Sequence, residues 1–178
     1  MKDLVRMRTS LKEEIENILN AQVKMEAESS AKYLAMAAWC DRNGYDYSSR
    51  FFYKQAEEER EHMLKIFKYI SDMGGVAVSP DVTNIPQDFA SFREIFELAL
   101  SQEIAVSQSI NRIVGLSRRL DDYATDNFMQ WFVKEQIEEE YVARRAVELF
   151  DVIGEEGVGR FLIDKQIPKI SYSDEPGE

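Results

Sequence analysis

The sequence predicts an all-α protein, a four-helix bundle with one long crossover loop and a short fifth helix near the C-terminus. Three observations carry that prediction. Only 8 glycines and 4 prolines occur in 178 residues, so long helices can run unbroken. Apolar residues recur at helical rather than strand spacing. Residues 75–90 hold Gly75, Pro80 and Pro86 with little periodicity, and they separate two pairs of periodic segments.

The elements follow in order. Ser10 with Glu13 three residues on reads as a capping box opening a first helix that runs to about Gly44. Ile15, Leu19, Val23, Tyr33 and Ala37 form its apolar stripe. A second helix starts near residues 47–49 and stops at Gly74 and Gly75, with Phe52, Ala56, Met63, Ile66 and Ile70 on one side. Ser91 with Glu94 is a second capping box, for a helix reaching about Leu120. Asp121 or Asp122 can cap a fourth helix that ends at Gly154. A short fifth segment runs from about Glu156 to Lys165 and is stopped by Pro168. Residues 1–166 read as a single domain and 167–178 as a flexible tail; residues 1–9 carry no assignable role.

Short turns make helices one and two, and three and four, antiparallel pairs. A helix of roughly 25 residues is about 38 Å long. The 16 residues of 75–90 reach at most about 53 to 58 Å when extended. The crossover can therefore travel the whole bundle, and it is expected to start helix three at the same end as helix one. The two pairs are then related by a pseudo-two-fold.

Composition narrows the function. A net charge of −11 argues against a nucleic-acid surface, which needs a basic stripe; it suits the attraction of cations and also simple solubility. Cys40 is the single cysteine, so neither an internal disulfide nor a four-cysteine metal knuckle can form. The opening MKDLVRMRTS lacks the apolar run of a signal peptide, and no stretch approaches a membrane span. A cytoplasmic protein without membrane partners is the expectation.

One constellation carries chemistry. Glu26 is followed 33 residues later by Glu59, and Glu59 three later by His62. Glu103 is followed 33 later by Gln136, and Gln136 three later by Glu139, so the second set repeats the first at an offset of 77. A lone Glu plus a Glu-x-x-His pair on each half is the donor arrangement general to di-iron carboxylate bundles. Here Gln136 and Glu139 replace the second pair. Each carboxylate interrupts an apolar face: Glu26 lies among Leu19, Val23 and Tyr33, Glu59 among Phe52, Ala56, Met63 and Ile66, Glu103 among Phe96, Leu100, Val106 and Ile110, and Glu139 among Phe132, Val142 and Ala146. Runs such as 57–59 and 138–140 are ordinarily solvated faces, but four apolar settings and two matched intervals override that expectation. Buried carboxylates need countercharge. Multivalent cations supply it, and carboxylate with imidazole suits iron, manganese or zinc. With Glu59 bridging, Glu26, Glu59 and His62 make one three-ligand site and Glu59, Glu103 and Glu139 a second, both with positions open for water or dioxygen.

At these residues the chain resembles the non-haem ferritins of bacteria and archaea, over about residues 10–166. The matching segments are EAESSAKYLAMAAWC from Glu26 to Cys40, QAEEEREHM around Glu59 and His62, Glu103, and NFMQWFVKEQIEEE before Tyr141. The resemblance implies a ferroxidase centre with one iron at Glu26, Glu59 and His62 and Gln136 nearby, and a second iron at Glu59, Glu103 and Glu139. It implies that Tyr33 stands beside the centre, and that Glu58, Glu135 and Glu138 form a third iron site. It also implies a 24-chain hollow shell in which Fe(II), oxidised by O2 or H2O2, is stored as Fe(III) mineral.

The departures separate relatives. Bacterioferritins repeat Glu-x-x-His on the fourth helix and place a haem-binding Met two residues before the second-helix His. Gln136, Glu139 and Arg60 stand at those places, so no haem is expected. The Cys-rich domain of rubrerythrins is absent. The miniature DNA-binding ferritins build their centre between subunits and lack a fifth helix, unlike the pattern here. Asp126 matches one carboxylate of the family's three-fold pore, and Met129 stands where animal ferritins carry another. The alternative function is a di-iron oxidase or peroxidase on the same bundle that stores nothing.

Overall fold

Capping, periodicity and chain breaks produce five helices in the computed structural model, which describes residues 9–173. They are α1 (Glu13–Arg42), α2 (Asp46–Asp72), α3 (Phe92–Arg119), α4 (Tyr123–Ile153) and α5 (Gly159–Gln166), followed by a 3-10 turn at Ile167–Lys169. Ser91 Oγ accepts from Glu94 N at 3.1 Å, and the Glu94 carboxylate reaches back to Ala90 N, so the capping box of α3 forms one residue wider than expected. Asp122 rather than Asp121 caps α4, accepting from Thr125 N at 3.0 Å, while Asp121 turns the chain at φ 56°.

Ser10 and Glu13 form no capping box. Lys12 occupies the cap position of α1 without a side-chain bond. Thr9 does the tying instead: its Oγ1 accepts from Leu11 N at 3.0 Å and donates to Met73 O at the end of α2. The start of α2 has no local cap either. Asp164 of α5 supplies one from 116 residues away, accepting from Ser48 N at 2.7 Å and from Tyr47 N at 3.3 Å. Gly159 lets α5 begin where it does, because a Cβ there would lie 2.0 Å from Gly154 O.

The crossover is laid along α1. Val76 O and Val78 N bond to the Asn20 side chain at 3.0 and 2.8 Å, Asp81 to Lys24 at 2.7 Å, and Gln87 O and Asp88 to Arg42 at 2.9 and 3.2 Å. It therefore leaves near the beginning of α1 and arrives near its end. Tyr45 stacks on Phe92, centroids 3.8 Å apart, and Lys12 Nζ donates to Leu120 O at 2.6 Å. Helix α3 consequently begins at the end where α1 finishes, not where α1 starts. A loop that spans the bundle from the foot of α2 has to land at the opposite end. The pseudo-two-fold thus runs across the bundle, and it exchanges α1 with α3 and α2 with α4 at mid-height.

The apolar core is cut in two there. One half gathers Tyr33, Cys40, Phe52, Phe96 and Phe150 with Ile163 of α5. The other gathers Leu19, Ile66, Ile110, Ile113 and Phe132. Ile167, expected to open a free tail, is fully buried in the first half; the tail's last residues, 174–178, lie outside the described residues, as do 1–8.

Candidate metal centre

Between the two core halves lie the four carboxylates singled out by the sequence. Each sits on its helix's apolar stripe, so helix amphipathicity turns it inward. Glu26 and Glu103 are 0% exposed, Glu59 2% and Glu139 8%. Among the described residues no Lys or Arg forms an ion pair with any of them. His62, 6% exposed, is the nearest base, with Nδ1 3.6 Å from Glu59 Oε2.

One ligand atom from each of Glu26, Glu59 and His62 lies within 4.8 Å of the other two. Gln22 of α1 donates Nε2 to Glu26 Oε1 at 2.8 Å. Glu26 Oε2 and Glu59 Oε2 are buried and neither accepts a hydrogen bond; His62 Nδ1, 3.6 Å from Glu59 Oε2, stands just beyond that range. Two acceptors close enough to share a proton need that proton or a cation between them. Burial first, then the facing Glu59, pushes the Glu26 carboxyl well above its ordinary range; burial, then Glu103, does the same to Glu59. A donor set of two carboxylates and an imidazole fits a hard or borderline divalent cation.

Glu103 is held differently. It accepts from the Tyr33 hydroxyl at Oε1 and from Gln136 Nε2 at 3.5 Å. Ser107 Oγ donates to Gln136 Oε1 at 2.9 Å, which fixes the amide with its NH2 towards Glu103. Burial raises Glu103 to about 7, and burial with the Glu103 charge raises Glu139 to about 8. Burial, then Glu103, pushes the Tyr33 phenol well above its ordinary value, so it stays a donor. Its ring stacks on Phe52, centroids 5.7 Å apart. Glu103 and Glu139 stand within electrostatic reach of Glu59, yet among the described residues they do not join a three-atom group as tight as the first.

Glu58, Glu135 and Glu138 sit on the α2–α4 side, lining a cleft of about 320 Å3 edged by Arg50 and Lys54 and closed by Pro168 and Ile170. Glu58 accepts from Gln55 Nε2 at 2.6 Å and from Lys54 Nζ at 2.9 Å. Gln55 also favours the charged form of Glu139, so it lies between the two groups of acids. A neighbouring cleft of about 230 Å3 opens beside His62, with Glu61 and Trp131 in its wall. The Trp131 ring meets His62 edge-on, centroids 5.4 Å apart, and carries Lys65 Nζ 3.8 Å above it.

Sequence reasoning passed over Gln22, Gln55, Ser107 and Trp131. Gln22 and Gln55 had a usable signal. Each stands four residues before a paired-site glutamate, one turn along the same stripe and at the same interval of 33. Ser107 and Trp131 carry no comparable pattern.

The fold and the buried donor group together define a carboxylate-bearing four-helix bundle protein. The family profile "Ferritin-like domain" matches residues 16–153. The chain is 36% identical over 161 residues to the "Probable bacterial non-heme ferritin-like protein" of Haemophilus influenzae, an alignment covering 90% of this chain and 98% of that one. It is 34% identical to the "Bacterial non-heme ferritin" of Campylobacter jejuni, covering 92% and 98%. The open pore ferritin of the hyperthermophilic archaeon Archaeoglobus fulgidus superposes with a TM-score of 0.86 at 34% identity, covering 89% of this chain and 96% of that chain. The chain belongs to the ferritin family, in its non-haem bacterial and archaeal branch. No helix among the described residues is long and apolar enough to cross a membrane.

Proposed function

We propose that this chain is a cytoplasmic iron-storage ferritin subunit that oxidises Fe(II) at a paired site and holds Fe(III) as mineral inside a 24-chain shell. The observation that carries the reading is the Glu26, Glu59 and His62 group, with two buried carboxylate oxygens that accept no hydrogen bond. Fe(II) is substrate here. Glu26, Glu59 and His62 bind one ion, Glu59 bridges, and Glu59, Glu103 and Glu139 bind the second, with Gln136 orienting Glu103. Protons held by these raised carboxyls leave as the cations arrive.

Each of two Fe(II) ions gives one electron. With two protons, the pair of electrons converts O2 to H2O2, or H2O2 to two waters. Tyr33, kept protonated by burial, holds a proton at Glu103 throughout binding. Glu58, Glu135 and Glu138 form a third position on the α2–α4 side, through which Fe(III) leaves inward. This reading involves no haem, nucleic-acid or membrane partner.

The test is iron retained per chain in the high-mass fraction after excess Fe(II) is added in air. Retention far above the roughly two or three ions that the paired and third positions hold is expected. Saturation at that level in a small oligomer would make the protein a non-storing di-iron oxidase or peroxidase instead.

A further inference from the structure

Between α3 and α4, on the other side of α4 from the acidic clefts, lies a separate hollow of about 320 Å3. Ile110, Val133 and Ile137 form its apolar wall, and Ser107, Asn111 and Gln136 line the rest. Gln136 is 6% exposed and links this hollow to Glu103, lining the one and donating to the other at 3.5 Å. The carboxylate at the rim, Glu140, is paired with Arg144 at 3.1 Å. We propose that this cleft is the docking site and approach path of dioxygen to the paired site, separate from the route taken by cations.

The inference rests on the ferroxidase reading and deepens it. Charge sorts the two faces. The α2–α4 face offers Glu58, Glu61, Glu135 and Glu139 around its clefts, which concentrates cations. The α3–α4 cleft offers a divalent cation no unpaired carboxylate. A small neutral apolar molecule gains from leaving water for the apolar wall of Ile110, Val133 and Ile137. The polar side suits a gate, since rotation of the Gln136 amide off Ser107 opens the way to Glu103 without moving a backbone. Ser107, Asn111 and Gln136 can also hydrogen-bond hydrogen peroxide, so the two oxidants are separated by the substitutions at the apolar wall, which bear on dioxygen first.

Two substitutions narrow the cleft without touching a proposed ligand. Ile137, 53% exposed at the mouth, is replaced by Trp (Ile137→Trp), and the half-buried Val133 by Phe (Val133→Phe). Anaerobic Fe(II) binding to each variant is measured by calorimetry, and the initial oxidation rate is followed against dioxygen concentration and separately against peroxide. The expected result is a several-fold rise in the KM for dioxygen, with Fe(II) stoichiometry and affinity unchanged and the peroxide reaction less affected. Crystals of the wild-type protein under xenon pressure are expected to show xenon against Val133 and Ile137. An unchanged KM for dioxygen in both variants, with Fe(II) still bound, overturns the cleft as the oxidant's path. Wild-type protein that binds no Fe(II) overturns the ferroxidase reading itself, so the two failures are distinguishable.

Discussion

At the scale of single residues, the centre is a place where folding is made worse for chemistry. Gln22 shows it most directly. Its amide orients Glu26, but its Oε1 is buried without a donor, and an unsatisfied buried acceptor costs about 1–3 kcal/mol. Gln22→Leu removes that acceptor but leaves Glu26 Oε1 without its donor, so thermal stability is expected to change little. The same change should weaken divalent-cation binding at the first position by roughly 10–100-fold, the usual cost of losing an orienting partner. Calorimetry with Zn(II) and a melting curve on the same preparation check both halves; tighter or equal binding would show that Gln22 orients nothing that matters. Glu59→Ala makes the complementary case. It removes the carboxylate that the two proposed positions would share, so fast Fe(II) oxidation should be lost while slow mineralisation continues, and stopped-flow absorbance separates the two. Undiminished fast oxidation would remove Glu59 from the bridge.

At the scale of elements, what could be read in the chain and what could not divide along sequence distance. Ser91 and Asp122 cap helices three residues away, and such local chemistry is visible in the sequence. The four buried glutamates were visible too, because helical spacing alone places them on an apolar stripe. The cap on α2 was not: Asp164 lies 116 residues beyond Ser48, and nothing local to either residue marks the pairing. The same holds for the bond from Ser107 to Gln136, which joins two helices, and for the direction of α3, which depends on where the crossover lands. Asp164 also explains why so short a helix as α5 is ordered. It is joined to the bundle by its carboxylate on two α2 amides and by Ile163 and Ile167 in the core. Asp164→Ala should destabilise the chain by about 1–2 kcal/mol, the cost of a lost helix cap. Hydrogen exchange at the Tyr47 and Ser48 amides should accelerate more than at Ile66. Equal acceleration everywhere would mean that the residue acts only on global stability.

At the scale of the whole molecule, four raised carboxyls make stability depend on pH with a definite sign. Glu103 titrates at about 7 and Glu139 at about 8 in the folded chain, and burial places Glu26 and Glu59 well above their ordinary 4.5 as well. The folded state therefore holds these protons more tightly than the unfolded chain does. Where that is so, stability is fully present below the unfolded value and is lost as pH rises through the folded one. Chelator-treated protein is expected to melt at progressively lower temperature between about pH 5 and pH 8. The net charge of −11 pushes the same way through self-repulsion, so the slope needs a control. Glu103→Gln, which cannot ionise, should flatten part of it while leaving a surface variant such as Glu97→Gln unchanged. A divalent cation reverses the dependence, because it binds the deprotonated carboxylates: Zn(II) should raise the melting temperature far more near pH 8 than near pH 5. A chelated protein whose melting temperature rises across that window would mean that the four carboxylates are solvated, and a cation would then have no buried charge to neutralise.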